Sequence, residues 1–134
     1  MSNVTLHMFT TRVTKSRRIS FDDVSELRRD ILPYGISSRE EAELFFALDR
    51  KVSRADSSFA DWLVAALVDF VVWGDRPTGY VDADTARWLI PLLLNATTSV
   101  VRRFIHEIAH EAQGVDELLL SLLASRDEPA PLAA

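Results

Sequence analysis

The sequence contains no cysteine. Disulfide staples, thiolate zinc sites and cysteine nucleophiles are therefore excluded, and the lack fits a reducing cytoplasmic setting. It also lacks any apolar run long enough to cross a bilayer. The longest, Phe59 to Trp73, is too short and is interrupted by Asp61 and Asp69, so no membrane span is expected. The N-terminus shows neither the apolar core nor the small-residue cleavage site of an export signal. Acidic residues are missing from the first nineteen positions, which hold Arg12, Lys15, Arg17 and Arg18. Every acid of the net charge of −5 falls later, so the body is more acidic than the whole. That balance argues against a phosphate-binding surface, and no nucleic-acid partner is expected. Glycine is also sparse, with four in 134 residues, so each one reads as punctuation.

What is present is apolar: 48% of the chain is hydrophobic, too much for a disordered protein. The length suits one domain with a core that needs no staples. Residues 1–19 read as a basic N-terminal arm that either docks or stays mobile. Residues 20–126 read as the helical domain, and 127–134 as a Pro- and Ala-rich disordered tail.

Helix punctuation recurs along the body. Ser20 is placed to cap a helix with Asp22 and Asp23 in its first turn, and Pro33 and Gly35 end it. Ser37–Glu40 and Ser38–Glu41 both fit a capping box, followed by the apolar face of Leu44, Phe45 and Leu48. Ser57 or Ser58 opens the apolar helix 59–73, expected to be the most buried element. Asp82 caps a helix carrying Ala86, Trp88, Leu89 and Leu92, in which Pro91 should kink or split the pattern. Thr97 or Thr98 opens the next helix, Gly114 ends it, and Asp116 starts a last one through Leu123. The expected fold is all-α, an irregular or orthogonal bundle of about six helices around the central apolar helix 59–73. The aromatics Phe45, Phe46, Phe59, Trp62, Phe70, Trp73, Trp88 and Phe104 are expected in the core, with Trp73 and Tyr80 partly exposed. Asp61, Ala65 and Asp69 should form a narrow stripe facing solvent or an arginine.

An internal echo is present. Pro33, Gly35, Ser38, Glu40 and Ala42 recur 44 positions later as Pro77, Gly79, Asp82, Asp84 and Ala86. A duplication and convergent helix-start chemistry explain it equally well. The echo offers no EF-hand. With Gly79 as the loop glycine, the ligand positions fall on Gly74, Arg76, Thr78 and Thr85, none of them a carboxylate.

One motif carries chemistry on its face. His106-Glu107-Ile108-Ala109-His110 matches H-E-x-x-H, which on a helix sets two histidines one turn apart for a shared zinc. It resembles the motif of zincin metallopeptidases. That resemblance implies His106 and His110 as ligands and Glu107 as general base. The surroundings depart from the zincin pattern. Arg103 stands three positions before the first histidine and Glu111 follows the second. Gln113 replaces the glycine of the metzincin extension, and Asp116 its third histidine. A third ligand would have to come from His7, Asp116, Glu117 or Glu128. On a helical wheel Val101, Phe104, Ile105, Ile108 and Ala112 share one side, with both histidines, Arg102, Arg103 and Gln113 nearly opposite. The motif is therefore expected on a solvated helix face.

The segments Gly35 to Leu48 and Gly79 to Ile90, with their G-x-x-S/D turns, resemble an uncharacterised family of small bacterial helical proteins. They are more distantly similar to TerB-like, tellurite-resistance-associated domains. The TerB likeness implies metal binding by acids around the turns. Glu40, Glu41, Asp82 and Asp84 follow the turns here, and Tyr34 and Thr78 stand where an aspartate precedes the glycine.

The reading that follows is a non-catalytic regulatory or protein-interaction domain of the bacterial cytosol, displaying an acidic helical surface to a protein partner. No enzyme activity and no cofactor are expected. A metal-binding domain is the alternative, and a zinc hydrolase stands last. A homodimer is compatible with an exposed apolar patch on the helix after Asp82 or the helix after Asp116.

Overall fold

The computed structural model describes residues 4–74, 78–94 and 98–127, with side chains through Leu122. The fold is all-α, with seven helices among the described residues and four two-residue strands. None of the helices is long and apolar enough to cross a membrane.

The arm folds. Residues Val4–Ser16 form α1, which buries Leu6, Phe9 and Val13, the spacing of one helical face. Thr10 is buried beside them and donates its hydroxyl to the carbonyl of His7 (3.0 Å). The described part of the arm thus docks through Leu6, Phe9, Thr10 and Val13, while its basic residues stay exposed. This helix is the one that the expected count of six omitted. After Arg17, whose φ of +57° turns the chain, come β1 (Arg18–Ile19) and α2 (Phe21–Glu26). Ser20 caps α2 in a full capping box with Asp23. The helix widens into a π-turn over Leu27–Ile31, closed by Leu32 N–H on the Leu27 carbonyl (2.8 Å).

Ser38 caps α3 (Arg39–Lys51), accepting from Glu41 N–H at 3.1 Å. Glu41 reaches back to Ser37 N–H (2.9 Å), so the two candidate boxes merge into one. Then follow β2 (Arg54–Ala55) and α4 (Ser57–Val68), which opens at Ser57 behind the cap Asp56. A second π-turn, Asp69–Trp73, extends α4 to the end of the predicted apolar helix. Its core side is Phe59, Leu63, Leu67 and Val72, all sealed from solvent.

After β3 (Tyr80–Val81), α5 (Ala83–Leu94) runs through Pro91 without splitting. Thr98 caps α6 (Ser99–Glu111). β4 (Gly114–Val115) and α7 (Glu117–Asp127) close the chain. Gly114 lies in β4 and does not end α6, which stops at Ala112. α7 runs four residues past its expected end, and the predicted tail beyond Asp127 lies outside the described residues. The core joins α4 to Phe104, Ile105 and Ile108 of α6, Phe45 of α3, Leu89 and Leu93 of α5 and Leu119 of α7. Edge-on aromatic pairs link the helices: Phe45–Trp62 at 5.2 Å and Phe46–Phe104 at 5.9 Å.

The strands expose a repeat. β1 pairs in parallel with β2, and β3 with β4. In the first ladder Ser53 and Arg54 N–H bond the Arg17 carbonyl, and Asp56 N–H bonds that of Ile19. In the second, Gln113 and Gly114 N–H bond the Gly79 carbonyl, and Asp116 N–H bonds that of Val81. Each strand runs straight into a helix N-cap: Ser20, Asp56, Asp82 or Asp116. The unit α3–β2–α4 therefore recurs, shifted by 60 positions, as α6–β4–α7. The echo at 44 positions survives as local turn geometry. Gly35 and Gly79 both have positive φ (+82° and +88°), and Ser38 and Asp82 both cap helices, but no strand follows Gly35.

Candidate functional site

The H-E-x-x-H residues lie on the outer face of α6. Its sequence sets Val101, Phe104, Ile105 and Ile108 toward α4, all buried, which forces the opposite face into water. His106 and His110 are exposed there, and Glu107 is half-buried beside them. The imidazole centroids are 4.1 Å apart with planes 36° from parallel. His110 Nδ1 lies 3.0 Å from the His106 carbonyl oxygen. With Nδ1 protonated and donating to that oxygen, Nε2 of His110 is left outward as a base, the usual arrangement of a metal-bound histidine. One helical turn before His106, Arg103 reaches Asp61 of α4 at 2.9 Å. Asp61, Ala65 and Asp69 are all exposed, as the stripe predicted, and Asp61 has its arginine.

The third-ligand candidates serve other ends. Asp116 caps α7, accepting from Leu118 N–H (3.2 Å), and Glu117 is exposed in its first turn. His7 is exposed on α1, and Glu128 lies outside the described residues. Among the described residues no group of three His, Asp or Glu side chains comes together to hold a metal. The exposed pair stands one helical turn apart, the spacing at which two imidazoles can share a divalent ion.

The acids after the two glycine turns are also placed. Asp84 pairs with Arg39 of α3 (2.8 Å), and that guanidinium also covers the Trp88 ring, 5.1 Å from its centroid. Asp82 accepts from Thr85 N–H (2.9 Å), and that bond holds its carboxyl below the usual range. Glu41 is tied to Ser37, and Glu40 is exposed. Glu41, Asp82 and Asp84 thus cap and clip helix starts. One carboxylate behaves differently. Asp49, at the end of α3, is half-buried and accepts the Thr98 hydroxyl at the start of α6. Burial pushes its carboxyl up, and the hydroxyl only partly offsets that.

What sequence reasoning missed is a gathering of cations. Arg12 is neutralised by Asp23 (3.1 Å) and Glu26 (3.4 Å), but Lys15 shares a hollow with Lys51, and Arg18 pairs across the first ladder with Arg54, with Arg17 and Arg50 next to them in the chain. The residues were visible in the chain. Their meeting depends on a parallel pairing across thirty-six positions, which no local pattern signals. No family model, curated protein or solved structure matches the chain.

Proposed function

We propose that this is a non-catalytic regulatory or protein-interaction domain of the bacterial cytosol, acting through its helical surface. The observation that carries the reading is α7. Leu119 is sealed in the core, yet Leu118 and Leu120 on either side are 67% and 50% exposed. Large apolar side chains left open to water on either flank of a buried one are surface that a partner can cover. Elsewhere on the fold Glu40, Glu43, Asp69 and Glu111 are exposed acids, which suit the acidic display expected from the sequence. The protein partner is either a different chain or a second copy.

The test is in-cell cross-linking of wild-type protein beside the Leu118→Asp/Leu120→Asp variant. Both positions face water, so the variant should keep its helical content and thermal midpoint. A discrete cross-linked species, hetero- or homodimeric, is expected from wild type and should vanish in the variant. The same species at equal yield from both would contradict the reading.

A metal-binding domain is the second reading, favoured by the outward Nε2 of His110 beside the His106 ring. The TerB likeness would instead enlist Glu40, Glu41, Asp82 and Asp84, three of which are engaged in caps and an ion pair. A zinc hydrolase using Glu107 stands last, because the residue in the place of its third ligand, Asp116, is committed to a helix cap.

A further inference from the structure

We propose that the cations around the first ladder form a docking strip for an acidic segment of a partner protein. Lys15 and Lys51 line one hollow, between α1 and α3, together with Thr11 and Thr14. Arg18 and Arg54 line the next, over the ladder, with Ser20, Ser53 and Phe21. Arg17 lies between the two hollows in the chain, and Arg50 precedes Lys51. All six cations are exposed, and none is in an ion pair among the described residues. Asp56 is the one carboxylate in either lining, and it is held by Ser58 as the cap of α4.

The ladder sets Arg18 directly opposite Arg54. Like charges at that spacing repel. The second ladder shows that the frame does not require them. It makes the same hydrogen bonds, yet the positions equivalent to Arg17, Arg18, Lys51 and Arg54 hold Gly79, Tyr80, Glu111 and Gly114. Arg17 is the sharpest case. It keeps a long cationic side chain at a φ of +57°, where the second ladder uses a glycine at +88°. Charge is thus concentrated at one of two equivalent places, against both local repulsion and backbone preference.

The occupant follows from charge and extent. Two adjacent hollows, each with a pair of cations, suit carboxylates spaced along an extended peptide. The arginine forks can take a carboxylate bidentately and the lysines act as point charges. A long nucleic acid would continue onto an acidic body, and the linings offer it a single aromatic, Phe21. The inference rests on the reading of an interaction domain and adds the chemistry of a partner.

The test is fluorescence anisotropy of a labelled peptide of alternating glutamate and serine, titrated with the full untagged chain at low and at physiological salt. Binding is expected, and it should weaken with salt. The Arg18→Glu/Arg54→Glu and Lys15→Glu/Lys51→Glu variants should each bind about tenfold more weakly or worse. The Arg28→Glu/Arg29→Glu variant, reversed on another surface, should match wild type. Circular dichroism of each variant separates lost binding from lost fold. No binding by wild type, or equal binding by all four proteins, would overturn the proposal. So would tighter binding of an oligothymidine of equal length, which assigns the strip to nucleic acid. Self-association abolished by the arginine reversals would also overturn it, since the occupant is then a second copy. A flat titration beside an intact leucine-dependent cross-link removes this strip alone, whereas loss of that cross-link bears on the interaction reading itself.

Discussion

Carboxylates in this protein behave according to where a helix end or the core places them. Asp82 is stabilised as the anion by Thr85 N–H, so its contribution is present above the ordinary carboxylate value of 3.8 and is lost as pH falls below it. Asp49 has the opposite sign. Its folded-state value is raised, so its charge costs stability at neutral pH, and that cost disappears as pH falls through the raised value toward 3.8. Asn at position 49 keeps an oxygen for the Thr98 hydroxyl and drops the charge. Asp49→Asn is therefore expected to melt at or above the wild-type temperature at pH 7, with any advantage shrinking toward pH 4. Thermal unfolding at the two pH values checks this, and a variant that melts lower at pH 7 would show that the charge itself is needed. These caps were legible in the chain, because Ser, Thr or Asp ahead of an apolar run is a local signal. The burial of Asp49 was not, since it depends on α6 starting against the end of α3.

At the scale of elements, the ladders are short but sterically exacting. A Cβ on Gly114 would lie 2.7 Å from the Tyr80 ring across the second ladder, and one on Gly79 would sit at a φ of +88°. Gly79→Ala is expected to cost about 1–2 kcal/mol from its left-handed backbone. Gly114→Ala should cost about 1–3 kcal/mol by overpacking, eased to the extent that the half-exposed Tyr80 ring swings out. Urea unfolding measures both, and unchanged midpoints would mean that the ladder does not hold the start of α7. Helix-period patterns revealed α3 to α6 because their apolar faces are wide and capped. They did not commit α1 to a helix. Its threonines have low helix propensity, although Leu6, Phe9 and Val13 were already at helical spacing. The strands were unreadable for a plainer reason: two residues cannot show an alternating pattern.

Across the whole molecule the architecture is a repeat whose halves share hydrogen bonds more than side chains. Asp56 and Asp116 are identical caps, and Phe45, Leu48 and Phe59 match Ile105, Ile108 and Leu119 as buried apolar positions. Little else is shared, so the turn chemistry at 44 positions was the more visible signal and the structural period of 60 stayed hidden. The halves differ most in surface charge, cationic at one ladder and uncharged on the strands of the other. That asymmetry, with the open leucines of α7, supports a domain that works by contact. The central claim is that its surface does this work and a metal does not. Elemental analysis of untagged protein, purified without chelators, tests this most directly. The account predicts zinc well below one equivalent per chain, unchanged in Glu107→Gln. One zinc per chain retained through dialysis, with a hydrolytic activity lost in Glu107→Gln, would contradict it.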